Sequence, residues 1–325
     1  MDNNFNNVAP VDVNEAELFH FIDNNSINSE RITAPRYSYW KSVFRVFFKK
    51  KINWVMLTLL ALIILMAFIY PLIAPYNPYE SVSKPQDFNL SPSEAIGQYG
   101  FSFKYLLGTG KLGNSIFDGI WASAKTSFLL AVICAAINMI IGIVLGAIWG
   151  YSKKFDAVMM VIYNIVANVP YILLISVLVY IIGSGFWSFV FALTITGWLS
   201  IAYFFRTQVL IIRDREYNLA SKCLGTPILR VVSKNVLPFL TSVIVTILAT
   251  ELPSYISMEV FLSFIGIGLS ADVPSLGRMV SEAQDAFVAY PWAFWPPVAI
   301  SSSITIILYI LGQNLADASD PRTHM

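Results

Sequence analysis

Charge is scarce in this sequence. Asp, Glu, Lys and Arg make up 13% of its 325 residues, about half the share a soluble domain carries. That shortage excludes most soluble enzymes and disordered scaffolds. Cysteine and histidine are scarcer still. Cys134 and Cys223 lie far apart, and His20 and His324 fall in opposite terminal tails. No disulfide framework, and no haem, zinc or copper centre, can be built from so few ligands. No H-E-x-x-H, G-x-S-x-G or clustered carboxylate pattern is present, which argues against a membrane protease or lipid transferase. A basic n-region ahead of a short apolar core is also missing, so the first apolar run reads as a retained span.

What is abundant is apolar: 56% of residues are hydrophobic and the mean hydropathy is +0.64. The apolar residues fall in long unbroken runs rather than the ~10-residue alternation of a β-barrel. An all-α, polytopic membrane protein is expected. Residues 1–36 are Asn-rich and read as a disordered cytoplasmic tail. Trp40, Val43, Phe44 and Phe47 then form one stripe, and Lys41, Arg45 and Lys49 another, the pattern of an amphipathic helix lying in the membrane interface.

Runs of ~20 apolar residues can cross a hydrocarbon core of ~30 Å. Six are predicted: Asn53–Ala74, Ser127–Trp149, Ala157–Ile182 with Pro170 inside it, Phe186–Phe205, a fifth starting near Phe239, and Trp292–Leu311. The fifth continues too far for one span, so a break is expected around Pro253–Glu259 with Phe261–Leu269 as a separate short element. Sorting Lys and Arg by side puts 16 on one face and 4 or 5 on the other, with Arg206 assigned to a loop between spans four and five. The positive-inside rule then places both termini in the cytoplasm. The domain boundaries predicted are 1–36 (tail), 37–121 (interfacial helix, first span and outer loop), 122–317 (transporter core) and 318–325 (C-terminal tail).

Several residues stand out within this plan. Gly142, Gly146 and Gly150 recur at four-residue spacing and suit a tight helix seam. Glu251 and Glu259 are acids in an apolar stretch, where charge is costly and functional by default. Glu251 is expected to line a path that meets a peptide's amino terminus, and Glu259 to order an outer gate through backbone hydrogen bonds. Asn138, Asn164 and Asn168 are expected to bond between helices. Gly108, Gly110 and Gly113 spell G-x-G-x-x-G but sit in an outer loop, without the strand that a dinucleotide site needs. The segment Arg213–Pro238 is the most informative. Asp214 can cap a helix over about Glu216–Leu224, Gly225 can end it, and a second helix can enter span five at Pro238.

The spacing Ala220–x4–Gly225–x11–Leu237–Pro238 resembles the cytoplasmic loop of ABC importer permeases, and Glu216–Tyr217 resembles its peptide-importer version. Ser221 stands where a second Ala is usual, and Asn235 where an Ile is common. Leu106–Leu130, Met258–Met279 and Leu311–Arg322 are similar to further segments of the C-type permease subunit of oligopeptide and dipeptide importers, with Glu259, Phe264, Gly266, Gly268 and Gly277 matching. Gly110, Asn114, Gln313 and Ala316 depart from it.

The resemblance implies a type I importer permease fold in the cell membrane. It makes Glu216, Ala220, Ser221, Lys222, Gly225, Leu237 and Pro238 the coupling helix, and Glu251, Glu259, Phe264, Gly266, Gly268 and Gly277 an outer gate and cavity. It implies a homologous second permease subunit, two ATPase subunits that hold ATP and Mg, and an extracytoplasmic peptide-binding protein. Membrane lipid and a peptide substrate complete the expected partners. No nucleic acid and no metal or cofactor in this chain is expected, and the chain itself is not an enzyme. A permease for nickel or another small solute, and an ATP-independent secondary transporter, are the alternatives.

Overall fold

The structure is a computed structural model that describes residues 38–77 and 85–320. The expected tail over 1–36, Lys84, and the end of the chain from Pro321 lie outside the described residues. Two units are distinguished, Met1–Tyr39 and Trp40–Met325; the second contains everything described beyond Ser38 and Tyr39. Among the described residues there is no strand, only an isolated bridge between Thr109 and Ser115.

The chain opens with α1 (Tyr39–Lys49) and α2 (Lys51–Ile73), followed by the short α3 (Pro92–Tyr99). On α1, Val43 and Phe47 are buried while Trp40, Phe44 and Phe48 stay exposed. The apolar stripe predicted there therefore divides between the protein and the outside. Lys50 anchors the junction between α1 and α2. Its ammonium donates to Asn314 at 2.7 Å and pairs with Asp317 at 3.3 Å. Buried Asn53 accepts from Asn314 at 2.7 Å and donates to the Phe47 carbonyl at 2.7 Å.

The core begins with α4 (Ile116–Tyr151, 36 residues). At 1.5 Å per residue it is about 54 Å long, so it outruns the hydrocarbon layer. It starts eleven residues before the predicted Ser127 because Ser115 caps it, accepting from the Asp118 amide at 3.1 Å. Hydropathy marks only its apolar middle. The predicted boundary between residues 121 and 122 thus falls inside one helix.

The third predicted span is broken into α5 (Lys153–Ala167) and α6 (Tyr171–Ile182), bent by 81°. Pro170 has no amide hydrogen and disfavours helix in the residue before it. Its extended backbone serves as the N-cap of α6. Next come α7 (Phe186–Thr194) and α8 (Gly197–Arg213), together a 28-residue span. This span ends eight residues beyond Phe205 and so takes in Arg206, which the charge sorting had placed in a loop.

The loop elements are α9 (Glu216–Cys223), α10 (Ile228–Val231), a π-turn over Val232–Val236, and α11 (Leu237–Phe239). They lead into α12 (Thr241–Phe264), α13 (Leu276–Ala283) and α14 (Pro291–Ser319). The break expected near Pro253 does not occur. α12 runs through it, since proline is tolerated in membrane helices whose neighbours complete the packing. The stop lies at Gly266 (φ 85°). There the Ile267 amide donates to the Leu262 carbonyl and the Gly266 amide to Ser263, the paired closure that a left-handed glycine permits. α14 likewise runs eight residues past Leu311 and buries Ala318 and Ser319, which leaves the predicted C-terminal tail shorter. Among the described residues, five helices or helix strings are long and apolar enough to cross a membrane, and six if the bent pair counts as one span.

Candidate functional site

Three sets of predicted residues occupy three separate places. The first is the α4–α8 seam. Gly142, Gly146 and Gly150 lie against Ile201, Ala202 and Val209. A Cβ at Gly146 would fall 2.5 Å from the Ala202 carbonyl oxygen and 2.8 Å from the Phe205 Cβ. Just beyond the seam, Asp156 of α5 takes both Arg206 bonds, at 2.5 and 3.0 Å, and a third from the Trp149 indole at 2.7 Å. The guanidinium also sits over the Trp149 and Tyr203 rings. A charged side chain inside an apolar helix is the sequence signal that marks Arg206, but its partner was not evident.

The second place is the loop of α9. The Asp214 cap does not form. Asp214 lies one residue too early, and its carboxylate is held by Arg213 at 3.2 Å. That hydrogen bond keeps the Asp214 carboxyl below its usual range. The N-cap is Arg215, without a side-chain bond. The helix is instead held from its buried side. Asn218, fully buried, donates to the Ile212 carbonyl at 3.0 Å. Asn235 donates to Asn218 at 3.2 Å and to Ser221 at 3.3 Å.

The two departures from the resembled loop, Ser221 and Asn235, therefore touch each other. Gly225 closes the helix at φ 74°, with its amide on Lys222 and the Thr226 amide on Ser221. Glu216, Ala220 and Lys222 are exposed, and so are Tyr217, Leu219, Leu224, Ile228 and Leu229. Leu237 is half-buried and Pro238 exposed, at the turn into α12. The result is an exposed apolar cluster rimmed by charge, spread over α9 and the start of α10.

Asn235→Ile is expected to lower stability by about 1–3 kcal/mol, because it strands the buried Asn218 oxygen. Adding Ser221→Ala should then cost less than it does in the unaltered chain. Thermal unfolding of the four purified variants in detergent measures the difference, and simple additivity would count against this pairing.

The third place is α12, where the two acids do not share a site. Glu259 is fully buried. It accepts from Ser127 at 2.9 Å, Ser263 at 3.1 Å and Ser275 at 2.7 Å, and from the Gly277 backbone. Three hydroxyls thus do most of what backbone groups were expected to do. Gly277 and Gly268 are packed against this node: a Cβ on Gly277 would lie 2.7 Å from the Glu259 oxygen, and Gly268 abuts Ser263. Phe264 and Gly266 are exposed at the helix end.

Glu251 lies eight residues earlier, about 12 Å along the helix. It borders a cavity of about 430 Å³ that also touches Tyr163, Pro170, Tyr171, Thr196 and Tyr255. Of the three span asparagines, Asn138 joins helices, donating to Tyr255 at 2.5 Å and the Leu193 carbonyl at 3.3 Å. Asn168 instead bonds to the Asn164 carbonyl within its own helix. No group of three or more His, Cys, Asp or Glu able to hold a metal occurs among the described residues.

Comparison with known proteins places these features in context. Residues 142–325 match the family described as the binding-protein-dependent transport system inner membrane component. Residues 38–92 match the N-terminal transmembrane domain of oligopeptide transport permease C. The chain is 47% identical over 310 residues to the oligopeptide transport system permease protein AmiD of Streptococcus pneumoniae, covering 95% of this chain and 98% of the relative. It is 31% identical to the oligopeptide permease OppC of Bacillus subtilis, covering 92% and 94%. It is 32% identical to the dipeptide permease DppC of the same organism, covering 93% and 92%.

Proposed function

Because this chain belongs to the family of binding-protein-dependent transport system inner membrane components, we propose that it is one of two permease subunits of an ATP-driven peptide importer. The observation that carries this reading is α9. A short helix fixed on its inner side by Asn218, Ser221 and Asn235 leaves Tyr217, Leu219 and Leu224 uncovered, and an ATPase subunit is the occupant that the family relationship supplies. A homologous permease would complete the path, two ATPases would hold ATP and Mg, and a peptide-binding protein would deliver substrate on the far side. The end rich in Lys and Arg faces the cytoplasm under the positive-inside rule, which puts both termini there and requires the bent α5–α6 pair to count as one span.

This chain forms and breaks no bonds; its work is mechanical. Closure of the ATPases moves α9. Asn218 ties α9 to the end of α8, and Arg213 ties that end to the Gly150 carbonyl of α4 at 3.2 Å. α8 then runs back to Thr196 and Gly197 at the cavity. A displacement at the loop is thereby passed to the cavity wall. ATP and peptide bias the same two-state element from opposite ends.

The test is uptake of labelled di- and oligopeptides by cells with and without the chain. Loss of uptake is the expected result. Unchanged peptide uptake with lost nickel uptake would reassign the substrate, and activity of the purified chain alone would replace the ATP-driven reading with a secondary carrier. Gly225→Val is a sharper probe of coupling, since a β-branched residue is strained at positive φ. The reconstituted complex should still assemble but lose transport-coupled ATP hydrolysis. Equal coupled hydrolysis in variant and unaltered complex would remove α9 from this role.

A further inference from the structure

The cavity at the broken helix is more specific than a passage requires. Its walls come from the end of α5, the start of α6, the start of α8 and the middle of α12. At about 430 Å³ it falls within the ~300–1,000 Å³ typical of small-molecule sites. Glu251 is the one charged side chain among its lining residues, and three tyrosines, Tyr163, Tyr171 and Tyr255, surround it.

Each ring is fixed from outside the cavity. Tyr163 stacks on Tyr203 with centroids 4.2 Å apart. Tyr171 donates to the Leu193 carbonyl at 3.0 Å. Tyr255 accepts from Asn138 at 2.5 Å and borders the cavity beside Glu251. A fourth group is left without a partner among the described residues: the Thr196 hydroxyl on the same cavity is buried and makes no hydrogen bond to them.

We propose that this cavity is a transient binding site for the amino-terminal residue of the transported peptide, with Glu251 receiving the ammonium group and Thr196 donating to the first peptide carbonyl. A lone carboxylate framed by aromatic rings favours a cation through direct charge and through the ring faces, and it disfavours a carboxylate. A peptide would therefore enter with its amino end toward Glu251. This inference rests on the peptide-import reading above and deepens it.

The test measures uptake of labelled trialanine below saturation in cells that carry the full transporter. The chain is deleted, unaltered, or altered as Glu251→Gln, Glu251→Asp or Thr196→Val. Glutamine keeps the size and removes the charge, so its effect reports charge. Glu251→Gln should reduce uptake about tenfold, the worth of one charge-assisted hydrogen bond. Glu251→Asp should stay within about threefold and Thr196→Val should fall in between. The amount of intact complex purified with each variant should match the unaltered complex, which separates lost uptake from lost assembly. Uptake in Glu251→Gln within twofold of the unaltered chain, or no better uptake in Glu251→Asp than in Glu251→Gln, would overturn the site. Trialanine uptake that survives deletion of the chain would overturn the import reading itself, an outcome distinct from either.

Discussion

Substituting alanine for Glu259 should lower the stability of the folded chain by about 3–5 kcal/mol, the range seen when one member of a buried charged network is removed. The magnitude follows from the number of partners. A carboxylate offers about four lone-pair sites, and here they meet Ser127, Ser263, Ser275 and the Gly277 backbone. Deleting the acid strands all these donors at once, in a place water does not reach. Ser127 also accepts from the Leu276 amide at 3.1 Å, so the loss spreads to the start of α13. Glu259→Gln should cost less, about 1–3 kcal/mol, because the amide nitrogen faces a donor where an oxygen accepted before. Thermal unfolding in detergent should show a shift of about 10 °C for alanine and a smaller one for glutamine. A shift below about 2 °C for alanine would mean that α4, α12 and α13 are held together by other contacts.

The second large effect is expected at the glycine seam. Gly146→Leu should cost about 3 kcal/mol or more, at the upper end of overpacking penalties. The obstacle is backbone: the added Cβ would meet the Ala202 carbonyl oxygen at 2.5 Å and the Ala202 Cα at 2.9 Å, and neither can swing aside. Moving α8 away also pulls Arg206 from Asp156, which lie 2.5 Å apart. Gly97→Ala is the contrasting control. It lies in α3 with nothing within 4 Å of its Cβ, so alanine there should be neutral or stabilising by about 0.5–1 kcal/mol. If the two substitutions shift the unfolding midpoint equally, close packing of α4 on α8 does not stabilise the bundle.

Much of this architecture was legible before any coordinates, for identifiable reasons. Apolar runs report depth in hydrocarbon, so five of the predicted runs fall on α2, α4, α7–α8, α12 and α14, while the third is broken at its middle by Pro170. Gly225 was legible because a left-handed closure has few alternatives to glycine. Helix length was not legible in the same way. Hydropathy does not register the polar turns with which α4, α8 and α14 continue beyond the apolar layer, and so Arg206 was assigned to a loop. Pro253 reads as a breaker because a sequence does not show which neighbours surround a proline.

The Glu259 node was half visible. The acid itself stood out in an apolar run, but Ser127 is 132 positions away, and a serine in a membrane helix carries no signal of its own. The Ser221–Asn235 contact is the instructive intermediate. Each residue was noticed singly as a departure, and only folding shows that one departure accommodates the other.

The 81° bend between α5 and α6 also acts as a compass for the subunit. Asn168, Val169 and Pro170 are exposed, and regular helical pairing is interrupted there: the Val169 amide turns back to Val166, the Pro170 carbonyl already belongs to α6, and Pro170 has no amide hydrogen. Hydrocarbon tails offer such groups no hydrogen bonds, so irregular backbone at membrane depth survives only against protein or water. The side of the chain that bears residues 168–170 is therefore expected to face protein or water rather than lipid. α2, mostly exposed and apolar along its length, can face lipid without cost. One broken helix and one greasy helix are enough to orient the subunit about the membrane normal.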